Sequence, residues 1–290
     1  MYGAIELGGT KVVCGISQEQ SDFVETVRIS TRDPQSTLAE IIEFFQQGES
    51  KYAKMKGLGL ASFGPLNLNA ASLSYGSLLK TPKQGWSNFP LLSVLQERFP
   101  IPIGITTDVN AALLAEHLLG AAKGVENAIY VTIGTGIGAG VLVNGKLANG
   151  FMHPEVGHMR IPHDGVVGVC PFHGNCLEGL ASGPAIAARA GRPAEELTID
   201  HPVWESVAVN LADMCNNLIM AFASERIILG GGVMARTGLL DKIKYHTLQR
   251  LNGYIPIEEC TRGLDNLIVE ANVDQGPGLV GALILAKNAS

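Results

Sequence analysis

Glu6-Leu7-Gly8-Gly9-Thr10-Lys11 places a carboxylate, two glycines, a hydroxyl and an ammonium within six consecutive residues. Glycine lets backbone N–H groups meet a ligand at close range. Together with Lys11 they suit a polyphosphate, while Glu6 can order the water around a Mg2+ ion. A second stretch, Tyr130 to Lys146, reads YVTIGTGIGAGVLVNGK, two apolar strands joined by a turn that is almost bare backbone. Two nucleotide motifs fail there. The dinucleotide fingerprint needs glycine at its first, third and sixth positions before a helix, but counting from Gly134 the sixth is Ala139, and a strand follows. Gly140 to Lys146 has the Walker spacing, yet Leu147 stands where Ser or Thr is required. A phosphate site on this hairpin therefore belongs to another class of nucleotide site.

Asp108 follows an apolar run and precedes a helical one, the junction at which open α/β folds expose catalytic side chains. A carboxylate there can take the proton of an attacking hydroxyl, although capping the helix is the ordinary use of Asp108 or Asn110 at such a place. His158, Cys170, His173 and Cys176 make two imidazoles and two thiolates, a closed tetrahedral set for a structural zinc, with His153 and His163 near enough in sequence to replace His158. Beside them, Glu155 and Glu178 are candidates to hold polar hydroxyls. Gly230-Gly231-Gly232-Val233 ends a β-branched run and opens a helix, so its backbone can approach a flat or anionic ligand. Cys14, Cys215 and Cys260 stand alone as cysteines without a role.

The elements that must position these residues come in a repeated order. Residues 3 to 30 hold three short strands, followed by a helix from Ser36 to Gln47, a strand at 57 to 63 and a long Gly/Pro/Asn/Ser-rich loop or flap at 64 to 86. A helix at 87 to 99, a strand ending before Asp108 and a helix at 110 to 122 complete the first set. The second set begins at 128 with three strands, is interrupted by an insertion from 149 to 177, and continues with helices at 178 to 190 and 203 to 223. A strand ending at Gly230, a helix from Val233 to Leu251, a strand at 267 to 271 and a last helix from about Gly278 finish it. Two βββαβαβα units imply two α/β domains with mixed sheets and a cleft: residues 1–110, completed by the helix at 278–290, and residues 111–277. The chain has 290 residues, 46% hydrophobic and 17% charged, and its net charge of −6 opposes nonspecific attraction to nucleic acid. With no apolar run of membrane-spanning length and no leader pattern at MYGAIELGG, a cytoplasmic protein is expected.

Taken together, seven motifs in order resemble the ROK sugar kinases, and within them the bacterial fructokinase-like branch. They are Glu6 to Lys11, Thr81-Pro-Lys-Gln-Gly-Trp86, Thr107 to Ala112, Thr132 to Gly138, Pro154-Glu-Val-Gly-His158, Cys170 to Pro184 and Ile228 to Val233. The resemblance implies an actin-like (ribonuclease H-like) duplicated α/β fold and transfer of phosphate from MgATP to the 6-hydroxyl of a hexose, D-fructose above mannose, glucose or an N-acylhexosamine. It implies that Asp108 is the base and that Gly8, Gly9, Thr10 and Lys11 bracket the ATP phosphates with Thr132, Gly134, Thr135 and Gly136. Gly183, Pro184, Gly231, Gly232 and Met234 would lie near the adenosine, and Asn110, Glu155 and Glu178 at the sugar, with His158 left to zinc. A homodimer is expected on the same ground. Most relatives have Asp where this chain has Glu6, which moves the Mg2+-associated carboxylate outward by one methylene. Sugar-responsive repressors of the family carry a DNA-reading head before the first turn, and here Glu6 is the sixth residue. A bulky residue at Gly136 is expected to weaken ATP more than sugar.

Overall fold

Residues 1–18, 22–163, 165–256, 258, 263–273 and 276–290 are described by a computed structural model, so Cys260 lies outside the described residues. The chain forms two compact units, the first made of Met1–Leu119, Ala148–His153 and Val273–Ser290, the second of Gly120–Leu147 and Pro154–Asn272. Among the described residues no helix is long and apolar enough to cross a membrane.

In the first unit β1 (Tyr2–Leu7), β2 (Lys11–Ser17) and β3 (Phe23–Ser30) form an antiparallel meander. Strands β4 (Gly57–Ser62) and β5 (Ile103–Thr107) extend it in parallel, giving the order β3-β2-β1-β4-β5. Parallel neighbours need a crossover, supplied by helices α1 (Pro34–Lys51) and α2 (Leu91–Arg98). The second unit repeats this plan. Strands β6 (Ala128–Ile133), β7 (Ile137–Val143) and β8 (Lys146–Leu147) are the meander, and β9 (Arg226–Gly230) and β10 (Ile268–Glu270) add in parallel, in the order β10-β9-β6-β7-β8. The fold is thus a duplicated mixed-sheet α/β fold, as the repeated strand pattern implies.

Several boundaries differ from the sequence expectation, each for a local reason. Helix α1 starts at Pro34 rather than Ser36 because the Asp33 side chain accepts the Ser36 N–H at 3.0 Å and Pro34 fits the first turn. Helix α3 (Asp108–Leu119) is capped by Thr107, whose Oγ1 accepts the Asn110 N–H at 3.2 Å, so neither Asp108 nor Asn110 performs that task. The expected helix at 178 to 190 is two, α4 (Leu177–Ala181) and α5 (Gly183–Ala190), parted at Ser182, whose hydroxyl accepts from the Ala185 N–H, with Pro184 in the first turn of α5. After α6 (Val203–Phe222), residues Gly232–Ala235 form one 3-10 turn, and α7 (Leu239–Leu251) begins only after Gly238, at φ 78°. The 64 to 86 loop is no free flap: Leu66, Leu78 and Trp86 are fully buried, with Trp86 edge-on to Phe63 and Phe89.

The last helix, α8 (Pro277–Ala289), packs on β1, β4, β5 and α3 and shares a small buried cluster of Ala4, Ala61, Ala111, Leu279, Ala282 and Leu283. Both α3 and α8 therefore belong to the first unit, whose body extends to Leu119. Their approach is close: a Cβ on Gly281 would meet the Ala111 carbonyl oxygen at 1.8 Å, and backbone cannot yield as a side chain does. Gly281→Ala is expected to cost about 3 kcal/mol in urea unfolding, through forced separation of the two helices.

Candidate active site

In the first unit, the β1–β2 turn exposes Gly9, Thr10 and Lys11 while its carbonyls are held from behind. Gly8 N–H donates to the Lys11 carbonyl at 3.0 Å, Thr31 donates its hydroxyl to Gly8 O at 2.7 Å and its N–H to Thr10 O at 3.0 Å, and Lys83 Nζ donates to Gly9 O at 2.5 Å. Carbonyl oxygens, which would repel an anion, are thereby paired within the protein. Glu6, at the end of β1, is half-buried. Loss of water pushes its carboxyl up, an effect tempered by the Lys11 ammonium and by the Leu279 N–H at the start of α8.

Asp108 is half-buried at the first position of α3, its Oδ1 accepting from the Val109 N–H at 2.9 Å. Burial pushes its carboxyl up to about 7, with the negative charge of Glu6 adding to the shift and the Val109 bond opposing it. A base with that value is half ionised near neutrality, the range in which general bases work best. Two residues on, Asn110 is fully buried; its Nδ2 donates to Thr106 Oγ1 at 3.1 Å and reaches Asn149 Oδ1 at 3.5 Å. Among the described residues its own Oδ1 has no hydrogen-bond partner, a buried acceptor of the kind that ligand hydroxyls satisfy.

In the second unit the β6–β7 turn is held at both ends. Gly183 N–H, at the start of α5, donates to Gly134 O at 2.8 Å, and Glu178 Oε2, on α4, accepts from the Ile137 N–H at 2.9 Å. Thr132 lies on β6 opposite Gly138. A cavity of about 830 Å³ brings together Gly134, Thr135, Gly183, Pro184 and Gly232 with Trp204 and Arg236, the Arg236 guanidinium stacked 4.6 Å from the Trp204 ring. Gly231, at φ 92°, and the buried Met234 sit in the adjoining β9 exit without lining it. Glu155 is half-buried and immediately precedes the 3-10 turn Val156–His158.

That turn delivers His158 to Cys170, His173 and Cys176, and the four ligand atoms lie within 4.8 Å of one another. His158 and His173 approach Nδ1 to Nδ1 at 3.3 Å, and the nitrogen-to-sulfur distances are 3.7 and 3.8 Å. Zinc bonds of about 2.0–2.1 Å to nitrogen and about 2.3 Å to sulfur give tetrahedral edges of roughly 3.4 and 3.6 Å, so the donors fit the ion in type and spacing. His153 is otherwise committed, its Nε2 accepting from the Leu66 N–H at 3.1 Å, and His163 accepts from Gly165 N–H. Cys14 and Cys215 are buried thiols pushed up by burial, Cys215 to about 12, and are inert as nucleophiles.

The sequence matches the profile described as the ROK family over residues 2–289. The chain belongs to the ROK family. This ROK protein is 40% identical over 292 residues to a putative fructokinase of Bacillus subtilis, covering all of this chain and 96% of the relative. It is likewise 40% identical over 292 residues to a fructokinase of Pediococcus pentosaceus, covering 98% of that protein. A ROK glucokinase of Streptomyces griseus, solved with glucose and AMPPNP, superposes with TM-score 0.75 at 25% identity over 99% of both chains. Thr31, Lys83, Trp204 and Arg236 escaped sequence reasoning as site residues of the ROK chain. Lys83 stood inside a quoted motif, and that was the one available signal; the other three reach their places through contacts distant in sequence.

Proposed function

We propose that this ROK protein transfers the γ-phosphoryl group of ATP to the 6-hydroxyl of D-fructose, giving fructose 6-phosphate and ADP. The observation that carries phosphotransfer is the Asp108 carboxyl held near neutrality two residues from the buried Oδ1 of Asn110, which has no partner among the described residues. Fructose is supported by the two full-length relatives named fructokinase, and ATP by the relative solved with AMPPNP. As the bond from O6 to the γ-phosphorus forms and the bond from that phosphorus to the ADP oxygen breaks, Asp108 takes the O6 proton. The N–H groups and side chains of Gly8 to Lys11 and of Thr132 to Gly136 receive the phosphates. The adenosine lies against Gly183, Pro184 and Gly232, with Gly231 and Met234 supporting that wall from the adjoining β9 exit, and Asn110, Glu155 and Glu178 hold sugar hydroxyls. Glu6 beside Lys11 fits the way Mg2+ is usually held, by one carboxylate with phosphates and water, and such an ion would supply charge neutralisation on the transferring group. A zinc ion held by His158, Cys170, His173 and Cys176 would find no position left for substrate among these four ligands, so its role would be to hold the loop. We place the reaction in the cytoplasm, where reduced thiols remain available to a metal.

The test is ADP release measured with fructose, mannose, glucose and N-acetylmannosamine. Fructose should give the highest kcat/KM and no sugar should give no release; a preference for glucose, or release indifferent to sugar, overturns the reading. Gly136 offers a second measurement. A Cβ there would meet the Glu178 carboxylate at 2.7 Å, so a larger residue pushes Glu178 off Ile137 as well as crowding the turn. Gly136→Val should therefore raise KM for fructose and for ATP alike, each by about tenfold, in place of the ATP-selective loss expected from sequence.

A further inference from the structure

No residue of the motif Thr81-Pro82-Lys83-Gln84-Gly85-Trp86 takes part in the transfer step proposed above. Its geometry in the first unit is specific. Trp86 is wholly buried and donates its Nε1–H to the Arg32 carbonyl at 2.7 Å, which pins the loop to the end of β3 and the start of α1. Gly85 turns there at φ 79°, and a Cβ on it would press on Pro34 at 3.0 Å. Anchored this way, the loop sends Lys83 back to the β1–β2 turn, where its Nζ bridges Gly9 O at 2.5 Å and Thr31 O at 3.1 Å.

The first carbonyl is in the β1–β2 turn, and the second belongs to Thr31, the residue after β3 whose N–H and hydroxyl hold that turn. Thr31 already secures Gly8 O and Thr10 O, and the Gly8 N–H secures Lys11 O, so Lys83 takes the remaining carbonyl of Gly8 to Lys11. The peptide bond is planar and trans, and its C=O and N–H point in opposite directions. Drawing the Gly9 carbonyl toward Lys83 therefore turns the Thr10 N–H the other way, outward from the exposed tip. We propose that Lys83 is a positioning residue for nucleotide: its ammonium holds the Gly9 carbonyl so that the Thr10 N–H faces the phosphates. This rests on the reading of Gly8 to Lys11 as a nucleotide turn, and not on which sugar is phosphorylated.

The experiment compares the wild-type chain with Lys83→Met and Lys83→Arg, by calorimetric titration of Mg-AMPPNP without sugar and by steady-state kinetics. Lys83→Met should weaken AMPPNP and raise KM for ATP by about tenfold, the factor that accompanies loss of one charge-assisted hydrogen bond. KM for fructose should stay within about twofold and Tm within about 2 °C, and Lys83→Arg, which keeps charge and donors, should recover most of the loss. With Mg-AMPPNP bound, hydrogen exchange at the Thr10 amide should slow in the wild type and in Lys83→Arg but not in Lys83→Met. Unchanged AMPPNP affinity, or equal rises in both KM values, overturns the proposal. Should Lys83→Met fail to fold, Lys83→Gln, which keeps a donor without the charge, carries the same measurement. A wild-type chain that binds AMPPNP and loses it in Lys83→Met, yet phosphorylates no fructose, defeats the fructokinase reading and leaves this one standing; a wild-type chain that binds no nucleotide defeats both.

Discussion

Asp108→Asn is expected to lower kcat for fructose phosphorylation about a thousandfold while leaving KM for either substrate within about threefold, the pattern of a lost general base. Asparagine keeps the acceptor for the Val109 N–H and cannot take a proton. The pH profile sharpens the test. Burial raises the Asp108 carboxyl to about 7, so below that value the base already carries a proton. Wild-type kcat/KM should fall about tenfold per pH unit below 7 and level off above it, and the residual activity of Asp108→Asn should lack that limb. Stability moves in the opposite sense. A carboxyl whose folded value lies above its unfolded one favours the fold at low pH, and that contribution is lost as pH rises through about 7. At pH 8 the wild type must bury a charge that Asp108→Asn lacks, so the variant should unfold no earlier than the wild type. A folded Asp108→Asn protein with near-normal turnover would remove Asp108 from the chemistry.

Zinc removal should have the second large effect. Protein purified without chelator should carry one zinc per chain, and Cys176→Ser should carry none. Ligands drawn from 158, 170, 173 and 176 close a loop that has little core of its own: Phe172 is 63% exposed and Val167 84%. Cys176 also stands at the cap of α4, two residues before Glu178, so losing the metal loosens the helix that holds the Ile137 N–H. Metal analysis and thermal melts before and after chelation are expected to show a fall of at least about 10 °C, corresponding to roughly 5 kcal/mol or more of linked folding energy. Retained melting temperature after complete metal loss would reduce the cluster to a coincidence of side chains.

What could be read beforehand followed from how local each signal is. The paired meanders were legible because short apolar runs and glycine turns are encoded within a few residues, and the thiolate and imidazole set because its members sit within nineteen positions. Helix ends were less legible. Ser182 and Gly238 interrupt apolar patterns that look continuous, and Thr107 takes a cap that Asp108 or Asn110 could equally have supplied. The pairings that support the site were not legible. Lys83 reaches Gly9 across 74 residues and Glu178 reaches Ile137 across 41, and no periodicity records such pairings. Nor does composition reveal that the glycine at 281 is spent on the Ala111 carbonyl.

The discontinuous first unit has a consequence for the order in which the protein can be made. Its sheet is complete once β5 has been synthesised, but α8, which covers β1, β4 and β5 and abuts Glu6 through the Leu279 N–H, emerges only after the whole second unit. During translation the second unit can close on its own contiguous segments while the first waits with an uncovered face of Ala4 and Ala61. The half carrying Asp108 would then mature last, and a nascent chain stalled short of residue 277 would hold a finished second unit and an unfinished base.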